Sequence, residues 1–110
     1  MTLRADLITA ASDKYLDDSG PWRQFVIDHI PFIQSNSRRV YPDGTVMQKY
    51  RYNVRWYMQY NIVVASLDWI FLLINDLPSE MDFYKSQWYY LPNDTYIDEL
   101  YHLYITTTKS

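Results

Sequence analysis

Hydrophobic residues recur at helical spacing in the first third of the chain. Over residues 3–16 and again over residues 21–30, apolar side chains return at steps of three and four, which places them on one stripe of a helix. Pro31 predicts the end of the second helix, because a residue that precedes proline is pushed out of helical geometry. Together the two segments predict a helical N-terminal arm over residues 1–35.

A turn-forming run follows this arm. Residues 41–45 read Tyr-Pro-Asp-Gly-Thr, in which proline presets its own backbone angle and glycine accepts the left-handed one. Val40 and Val46 flank the run. Apolar residues on both sides of a turn are compatible with a β-hairpin.

The sharpest periodicity lies in residues 50–60. Every even position is apolar or aromatic, and four of the five odd positions are polar. The even positions are Tyr50, Tyr52, Val54, Trp56, Met58 and Tyr60. A helix would group Tyr50, Val54, Tyr57 and Met58, but would then distribute arginines and aromatic rings around every side. Because alternation with period two is typical of a strand with one buried face, we favour a strand.

The rest of the chain predicts two helices around a second short strand. Residues 66–76 form a stripe that is apolar nearly all round, with Ser66 as a candidate cap, and we expect this helix to be buried at the centre of the core. Residues 79–87 predict an acidic loop and residues 88–91 a β-type run. Residues 93–95, Asn-Asp-Thr, form a cap cluster before a helix over residues 95–105, and Thr95 and Asp98 have the spacing of a capping box.

These elements predict a small single α+β domain over residues 1–110. We expect three to four helices and a short antiparallel sheet or hairpin, with the helical arm followed by a strand-helix-strand-helix body over residues 36–110. A chain of 110 residues has room for one domain.

The composition excludes several kinds of site. The chain has no cysteine and only two glycines, Gly20 and Gly44, so it has no disulfide, no thiolate metal site and no glycine-rich phosphate loop. It carries twelve Tyr, four Trp and four Phe. A core of this size cannot hold twenty rings, and we therefore expect tyrosines and tryptophans on the surface, where they are typical of interfaces. An aromatic core with tyrosines along its rim is the alternative.

The charges are segregated along the chain. Five cations stand against Asp43 alone in residues 38–67, for a net charge of +4, whereas seven carboxylates stand against Lys85 alone in residues 68–108, for −6. If the two groups lie on opposite faces, copies or different partners could dock head to tail. If the two groups pair within the fold, they cancel.

Candidate chemistry is sparse. His29 and His102 are the only histidines, and Asp98 precedes His102 by four residues, a spacing that suits a metal site but is far more common as an exposed helix pair. The carboxylates at 76, 80, 82, 94 and 98 are candidates for acid–base catalysis, but no spacing singles out a pair. We expect no catalytic, cofactor or metal site.

Nucleic-acid binding is the main alternative to an assembly role. Residues 49–57 interleave cations with rings, the side chains that hold phosphates and stack on bases. A strand would place the cations on one face and most rings on the other, which weakens this interpretation. The chain is also acidic overall, with a net charge of −3.

Two segments carry a resemblance to a known family. Residues 67–77 read Leu-Asp-Trp-Ile-Phe-Leu-Leu-Ile-Asn-Asp-Leu, and residues 89–92 read Tyr-Tyr-Leu-Pro. This combination resembles the baseplate wedge family of T-even-type contractile-tail phages and its LysM-like relatives, in which an aromatic apolar helix precedes a loop and a short strand ending near proline. That family has an aromatic-basic strand upstream, for which residues 50–60 would be the counterpart. The resemblance spans about residues 47–92.

The resemblance implies a non-enzymatic virion structural protein, located in a phage tail baseplate among sheath, hub and wedge subunits. We expect no membrane-spanning segment, and contacts with other virion proteins or with further copies of the chain. The expected interface residues are Arg38, Arg39, Arg51, Arg55, Trp56, Tyr57, Trp88 and Tyr89. A LysM-like sugar-binding module that uses an exposed Trp22 or Trp88 is a third interpretation.

Overall fold

A computed structural model describes residues 20–109 of the chain. Within this range it has six α-helices, two short 3-10 helices and one antiparallel pair of strands, so the predicted small α+β domain is confirmed, with more helices than expected. The helices are α1 (Gly20–Asp28), α2 (Ile30–Ser35), α3 (Gly44–Tyr50), α4 (Val54–Tyr60), α5 (Asp68–Ile74) and α6 (Asp94–Lys109). The strands are β1 (Arg38–Val40) and β2 (Tyr89–Leu91), and the 3-10 helices are Ala65–Leu67 and Glu80–Asp82.

The N-terminal prediction is only partly testable, because the predicted helix over residues 3–16 lies outside the described residues. The predicted helix over residues 21–30 is confirmed as α1, which ends at Asp28. A separate helix that was not predicted follows, and Pro31 occupies the first turn of α2, where proline is tolerated since the N–H it lacks would have no partner there. Trp22 and Val26 of α1 and Ile33 of α2 are buried in the common core. Residues 20–35 therefore contribute to the same core as the rest of the described residues.

The predicted hairpin around residues 41–45 is wrong. Asp43 accepts a hydrogen bond from the Val46 N–H at 3.0 Å and so caps α3, which begins at Gly44. A turn sequence that ends in an N-cap residue starts a helix as readily as it reverses a strand. Val40 pairs instead with Tyr89, and the only sheet in the described residues joins distant parts of the chain.

The predicted strand over residues 50–60 is also wrong, because this segment ends α3 and then forms α4. A tight turn separates the two helices: Tyr52 has a φ of 63°, and the Asn53 N–H donates to the Tyr50 carbonyl at 3.0 Å. Asn53 caps α4 by accepting from the Trp56 N–H at 3.2 Å, and Glu80 accepts from the Val54 N–H at 2.9 Å. The alternating pattern was misleading because its even positions mix buried residues with exposed rings.

The residues that α4 buries are those that the helical alternative for residues 50–60 groups on one face. Val54, Tyr57 and Met58 are all buried, and the ring of Tyr50 packs 6.0 Å from that of Tyr57. Tyr52, Trp56 and Tyr60 are exposed. Spacing of three and four residues, and not of two, therefore decides which side chains enter the core.

The predicted helix over residues 66–76 is confirmed as a 3-10 turn that continues into α5, and it lies at the centre of the core. Trp69, Ile70, Phe71 and Ile74 are buried, and α5 contacts both α2 and α4. Ser66 is not its cap but lies inside the 3-10 turn. At the start of α6, Asn93 of the predicted cap cluster is the residue that caps the helix, since its side chain accepts from the N–H groups of Thr95 and Tyr96.

Three helices end in the same way, with an asparagine at the C-cap. Asn36, Asn61 and Asn75 each donate from the side-chain amide to the carbonyl four residues earlier, at 2.8 to 2.9 Å. Each of these carbonyls also accepts the backbone N–H of the same asparagine at 3.2 Å, so the side chain adds a second hydrogen bond at the helix end. Asn75 differs from the other two because it also reaches the sheet.

Four rings from four elements form the centre of the aromatic core: Tyr57, Phe71, Phe83 and Tyr89. Phe71 and Phe83 meet edge to face at 5.5 Å, and Phe83 lies 5.1 Å from Tyr57 and 5.2 Å from Tyr89. Offset and edge-to-face arrangements of this kind are the favoured ones for aromatic pairs. This cluster joins α4, α5, β2 and the acidic loop into one core.

Candidate docking surface

The β1–β2 ribbon has one buried face and one exposed face. Arg39 pairs with Tyr90, and Val40 with Tyr89. Because successive residues of a strand point to opposite faces, Val40, Tyr89 and Leu91 share the core side. Arg39 and Tyr90 share the outer side, and Tyr41 and Trp88 continue it. We call Arg39, Tyr41, Trp88 and Tyr90 the outer face of the ribbon.

The side chain of Asn75 occupies the free edge of β2. Its amide oxygen accepts from the Tyr90 N–H at 2.7 Å, and its amide nitrogen donates to the Tyr90 carbonyl at 2.8 Å. An asparagine side chain thus makes the two hydrogen bonds that a third strand would make. Both polar groups of the Tyr90 backbone therefore point away from β1.

The Asn75 contact also determines how Arg39 and Tyr90 face one another. Since the Tyr90 N–H and carbonyl point outward, Arg39 and Tyr90 form the non-hydrogen-bonded pair of the ladder, in which opposing side chains lie closest. The Arg39 guanidinium carbon lies 5.7 Å from the centroid of the Tyr90 ring and 5.2 Å from that of Trp88. The arginine is held over two rings, a cation–π arrangement that keeps its hydrogen-bond donors accessible.

Trp88 is the largest exposed side chain of the outer face. It is 58% exposed, and Tyr41, which is 50% exposed, meets it edge to face at 5.4 Å. The tryptophan is therefore positioned by Tyr41 on one side and by Arg39 on another, while much of its ring is left open. Trp, Tyr and Arg are the residues that most often contribute binding energy at protein interfaces.

Arg38 points to the other side of the ribbon, where it lines a cavity of about 400 Å³ with Asn61, Ile62, Leu91 and Asp94, among others. Its guanidinium donates to the Asn61 carbonyl at 3.0 Å. Ile62 at the mouth is 91% exposed and has a φ of 60°. A β-branched residue in that backbone region is uncommon and strained.

A second aromatic surface lies at the junction of α3 and α4. Lys49, Tyr50, Trp56, Gln59 and Tyr60 line a cavity of about 360 Å³. Trp56 is 60% exposed and Tyr60 56%, and the Tyr50 and Tyr60 rings lie 5.0 Å apart. The helix, unlike the predicted strand, brings a lysine and several rings to the same opening.

The structure divides the eight predicted interface residues into two groups. Arg38, Arg39, Arg51, Arg55, Trp56 and Trp88 are exposed. Tyr57 and Tyr89 are corrections, because both rings are buried in the core and are not accessible to a partner. The Tyr89 hydroxyl is satisfied internally, because it donates to the Lys85 carbonyl at 2.7 Å.

Burial raises the pKa of both tyrosines. Loss of hydration raises the pKa of Tyr57 above its ordinary value of 10.0, against smaller lowering by the Asn61 hydrogen bond. Burial likewise raises the pKa of Tyr89, against lowering by its bond to the Lys85 carbonyl. Both rings are therefore neutral well into the alkaline range.

The segregated charges pair only in part. Arg55 lies 3.5 Å from Asp68, which joins the basic and acidic segments at one point. Arg38 and Arg39, in contrast, contact a carbonyl and two rings, and among residues 20–109 neither has a carboxylate within ion-pair distance. The cations of the ribbon remain available to an acidic partner.

Sequence analysis missed Tyr41, Tyr90 and Asn75. Tyr90 could have been found, since alternation in the run 88–91 puts it on the same face as Trp88. Tyr41 was assigned to a turn. Asn75 gave no local indication of its role, because its partner Tyr90 lies 15 residues away in sequence.

Within the described residues, no three His, Asp or Glu side chains are grouped so that they could hold a metal ion. His102 instead contacts its own helix, with Nδ1 2.8 Å from the Asp98 carbonyl oxygen and 3.8 Å from the Asp98 carboxylate. No helix in the range 20–109 combines the length and the apolar character that crossing a membrane requires.

Comparison of the chain with models of protein families, with curated proteins and with solved structures found no match. An assembly role is therefore inferred from the surfaces themselves.

Proposed function

We propose that this chain is a non-enzymatic virion structural protein, a small subunit of a phage tail baseplate that holds neighbouring subunits together. The observation that carries an assembly role is the outer face of the ribbon, where Trp88 is fixed between Tyr41 and Arg39 yet remains 58% exposed. The placement in a baseplate rests on the resemblance of residues 67–77 and 89–92 to the wedge family.

The energetics favour a docking role for this face. Exposing a tryptophan to water has no benefit for the isolated fold, since burial of such a side chain would stabilise it by about 2–3 kcal/mol. A ring that neighbouring side chains hold in one orientation loses little entropy when a partner covers it. The arginine beside it retains donors for a partner's carboxylates or carbonyls.

The test is the protein composition of purified virus particles. Mass spectrometry of intact particles, with labelling by an antibody against the chain in electron microscopy, should find the chain at the tail end. In particles assembled with Trp88→Ala we expect its occupancy to fall at least tenfold.

Trp56→Ala is the matched control, because Trp56 is equally exposed but lies on the other aromatic surface. It should leave the occupancy unchanged. A chain that is expressed during infection but absent from particles would refute the proposal.

A second candidate function, binding of single-stranded nucleic acid, is favoured by the cavity at the α3–α4 junction. Lys49 and the rings of Trp56 and Tyr60 share one opening, as phosphate contact and base stacking require.

Fluorescence anisotropy with a short single-stranded oligonucleotide tests this role at low and moderate salt. Binding should weaken with salt and should be lost in Trp56→Ala and Lys49→Gln but kept in Trp88→Ala. Absence of binding at low salt would eliminate this candidate.

A further inference from the structure

The two edges of the β1–β2 ribbon are not equivalent. The edge of β2 is closed by the Asn75 amide, which takes both the N–H and the carbonyl of Tyr90. On β1, the residue opposite is Arg39, whose backbone N–H and carbonyl point away from β2 for the same reason. Among residues 20–109, no backbone or side-chain group bonds to that N–H or carbonyl. Within residues 20–109, the ribbon is therefore open at the edge of β1 and closed at that of β2.

The side chains at the open edge disfavour a second copy of this chain as its occupant. Arg38 and Arg39 are consecutive in β1 and both exposed. Antiparallel pairing of two β1 strands around Arg39 would place Arg39 opposite its own copy, and like charges directly opposite are destabilising. Charged residues on an edge strand are a common protection against such self-association.

The same two arginines favour an occupant of opposite charge. A strand added beside β1 would place one residue directly opposite Arg39, with its side chain on the outer face of the ribbon. A carboxylate there would meet a guanidinium that has no acidic partner among the described residues. The next residue of the added strand on that face, two positions along, would lie beside Tyr41, where an aliphatic or aromatic side chain could pack.

We propose that the outer edge of β1 binds an extended acidic segment of a partner protein by strand addition. The backbone N–H and carbonyl of Arg39 supply the hydrogen bonds, the Arg39 side chain selects a carboxylate, and the outer face of the ribbon holds the alternate side chain. Recognition of this type takes affinity from the main chain and specificity from alternate side chains. This inference rests on the proposed assembly role and names the chemistry of the partner.

The test uses the full chain, labelled with ¹⁵N, and synthetic peptides of about eight residues, a usual strand length. One peptide alternates glutamate with threonine or valine, and the second has lysine in place of each glutamate. The third is the acidic peptide with alternate backbone amides methylated, which removes the donors of one edge. Chemical-shift changes and hydrogen exchange at the Arg39 amide are the readouts.

The acidic peptide should shift the amides of Arg39 and Tyr41 and slow exchange at Arg39 at least tenfold at saturation. The dissociation constant should be roughly 0.1–1 mM, because only a few hydrogen bonds compensate for the entropy that a free peptide loses when it becomes ordered. The lysine peptide and the methylated peptide should each bind at least tenfold more weakly. Arg39→Gln should weaken binding of the acidic peptide five- to tenfold.

Lys85→Gln is the matched control, because Lys85 is also an exposed cation and also lies over a tyrosine ring, that of Tyr84, at 5.8 Å. It should not change the affinity. Equal binding of the methylated peptide would overturn strand addition, and equal binding of the lysine peptide would overturn the acidic preference. Concentration-dependent protection of Arg39 without peptide would identify a second copy as the occupant.

The outcome is independent of the particle experiment. If the chain is absent from virus particles but the acidic peptide protects the Arg39 amide, the proposed function is refuted and the strand-addition proposal is supported. If the chain is present in particles but no peptide perturbs the Arg39 amide at several millimolar, the strand-addition proposal fails and the proposed function stands.

Discussion

Trp88 and Tyr89 are neighbours in sequence with similar chemistry, yet they belong to opposite regions of the molecule. Tyr89 is 1% exposed and packs within the core cluster of four rings, whereas Trp88 is 58% exposed on the outer face of the ribbon. The pleat of one short strand separates them. Two groups of rings, one that holds the fold together and one that is available to a partner, therefore alternate within the same segment.

The two regions also differ in how their polar groups are satisfied. In the core cluster, the Tyr89 hydroxyl donates to the Lys85 carbonyl, as a buried polar group requires. The outer face keeps the Arg39 donors open and is held in place by contacts between rings and cation. A small domain rich in aromatic residues can therefore combine an internally bonded core with a surface whose hydrogen-bond donors are open to a partner. Asn75 connects these two regions.

The largest expected effect comes from removing a core ring. Phe71→Ala should lower the free energy of unfolding by about 3–5 kcal/mol, because it leaves a cavity between Tyr57, Phe83 and Tyr89. Trp88→Ala removes a larger ring from the outer face and should cost less than about 1 kcal/mol. Urea denaturation of both variants measures the difference. Equal losses would abolish the distinction between the two regions.

The connection between the regions should be the next most sensitive point. Asn75→Ala removes both hydrogen bonds to Tyr90 and the one to the Phe71 carbonyl, and should destabilise the fold by roughly 2–3 kcal/mol. Asn36→Ala is the control, because Asn36 makes the same bond to its own helix without reaching a strand. It should cost about 1 kcal/mol or less. If the two variants are equally stable, Asn75 does not close the edge of β2.

Alkaline pH should lower the stability of the fold through the two buried tyrosines of the core. The pKa values of Tyr57 and Tyr89 are raised in the fold by burial, so above about pH 10 the unfolded chain loses protons that the folded chain retains. Stability should therefore be unaffected below that pH and decline as the pH rises toward the raised pKa values. Urea denaturation from pH 8 to 11 measures the decline.

Tyr89→Phe should make this decline shallower, because one of the two buried ionisable rings is gone. Tyr52→Phe changes an exposed tyrosine and should leave the steepness as it is. An unaltered decline in Tyr89→Phe would show that Tyr89 does not ionise as a buried group.

The smallest predicted change is a gain. α4 ends with the Val63 N–H bonded to the Met58 carbonyl and the Ile62 N–H to the Gln59 carbonyl, a helix end in which Ile62 adopts the left-handed conformation that glycine prefers. Ile62→Gly should stabilise the fold by about 1 kcal/mol, since the exposed side chain contributes no burial. Thermal unfolding measures it.

Ile62→Ala keeps a β-carbon and should recover less than half of that gain. A destabilised glycine variant would show that the Ile62 side chain supports the fold despite its exposure.

Residues 50–60 show why part of the fold could not be predicted. The alternation of apolar and polar positions was real, but it arose because Tyr52, Trp56 and Tyr60 are exposed rings that resemble core residues in a hydropathy pattern. The helix is fixed by Asn53 locally and by Glu80 and the Phe83 carbonyl from a distant loop. Where exposed rings are abundant, an apolar residue is not necessarily buried. The spacing of apolar residues then no longer identifies the type of secondary structure.

The types of residue in the candidate site could be predicted from the sequence, but their positions in the fold could not. Surplus rings and a basic central segment pointed to docking surfaces, and Arg39 and Trp88 were named for that role. The same inference wrongly included Tyr57 and Tyr89, although alternation in the run 88–91 separates Tyr89 from Trp88 and the helical alternative groups Tyr57 with other apolar residues.

The sequence by itself determined the helix over residues 66–76, the short strand at 89–91, the small α+β class and the absence of any cysteine-based site, since these follow from local spacing and composition. Tertiary structure alone decided which rings are buried and which edge of the ribbon is open. Both depend on pairings such as Val40 with Tyr89 and Asn75 with Tyr90. Residues far apart in the chain make those pairings, and no local preference encodes them.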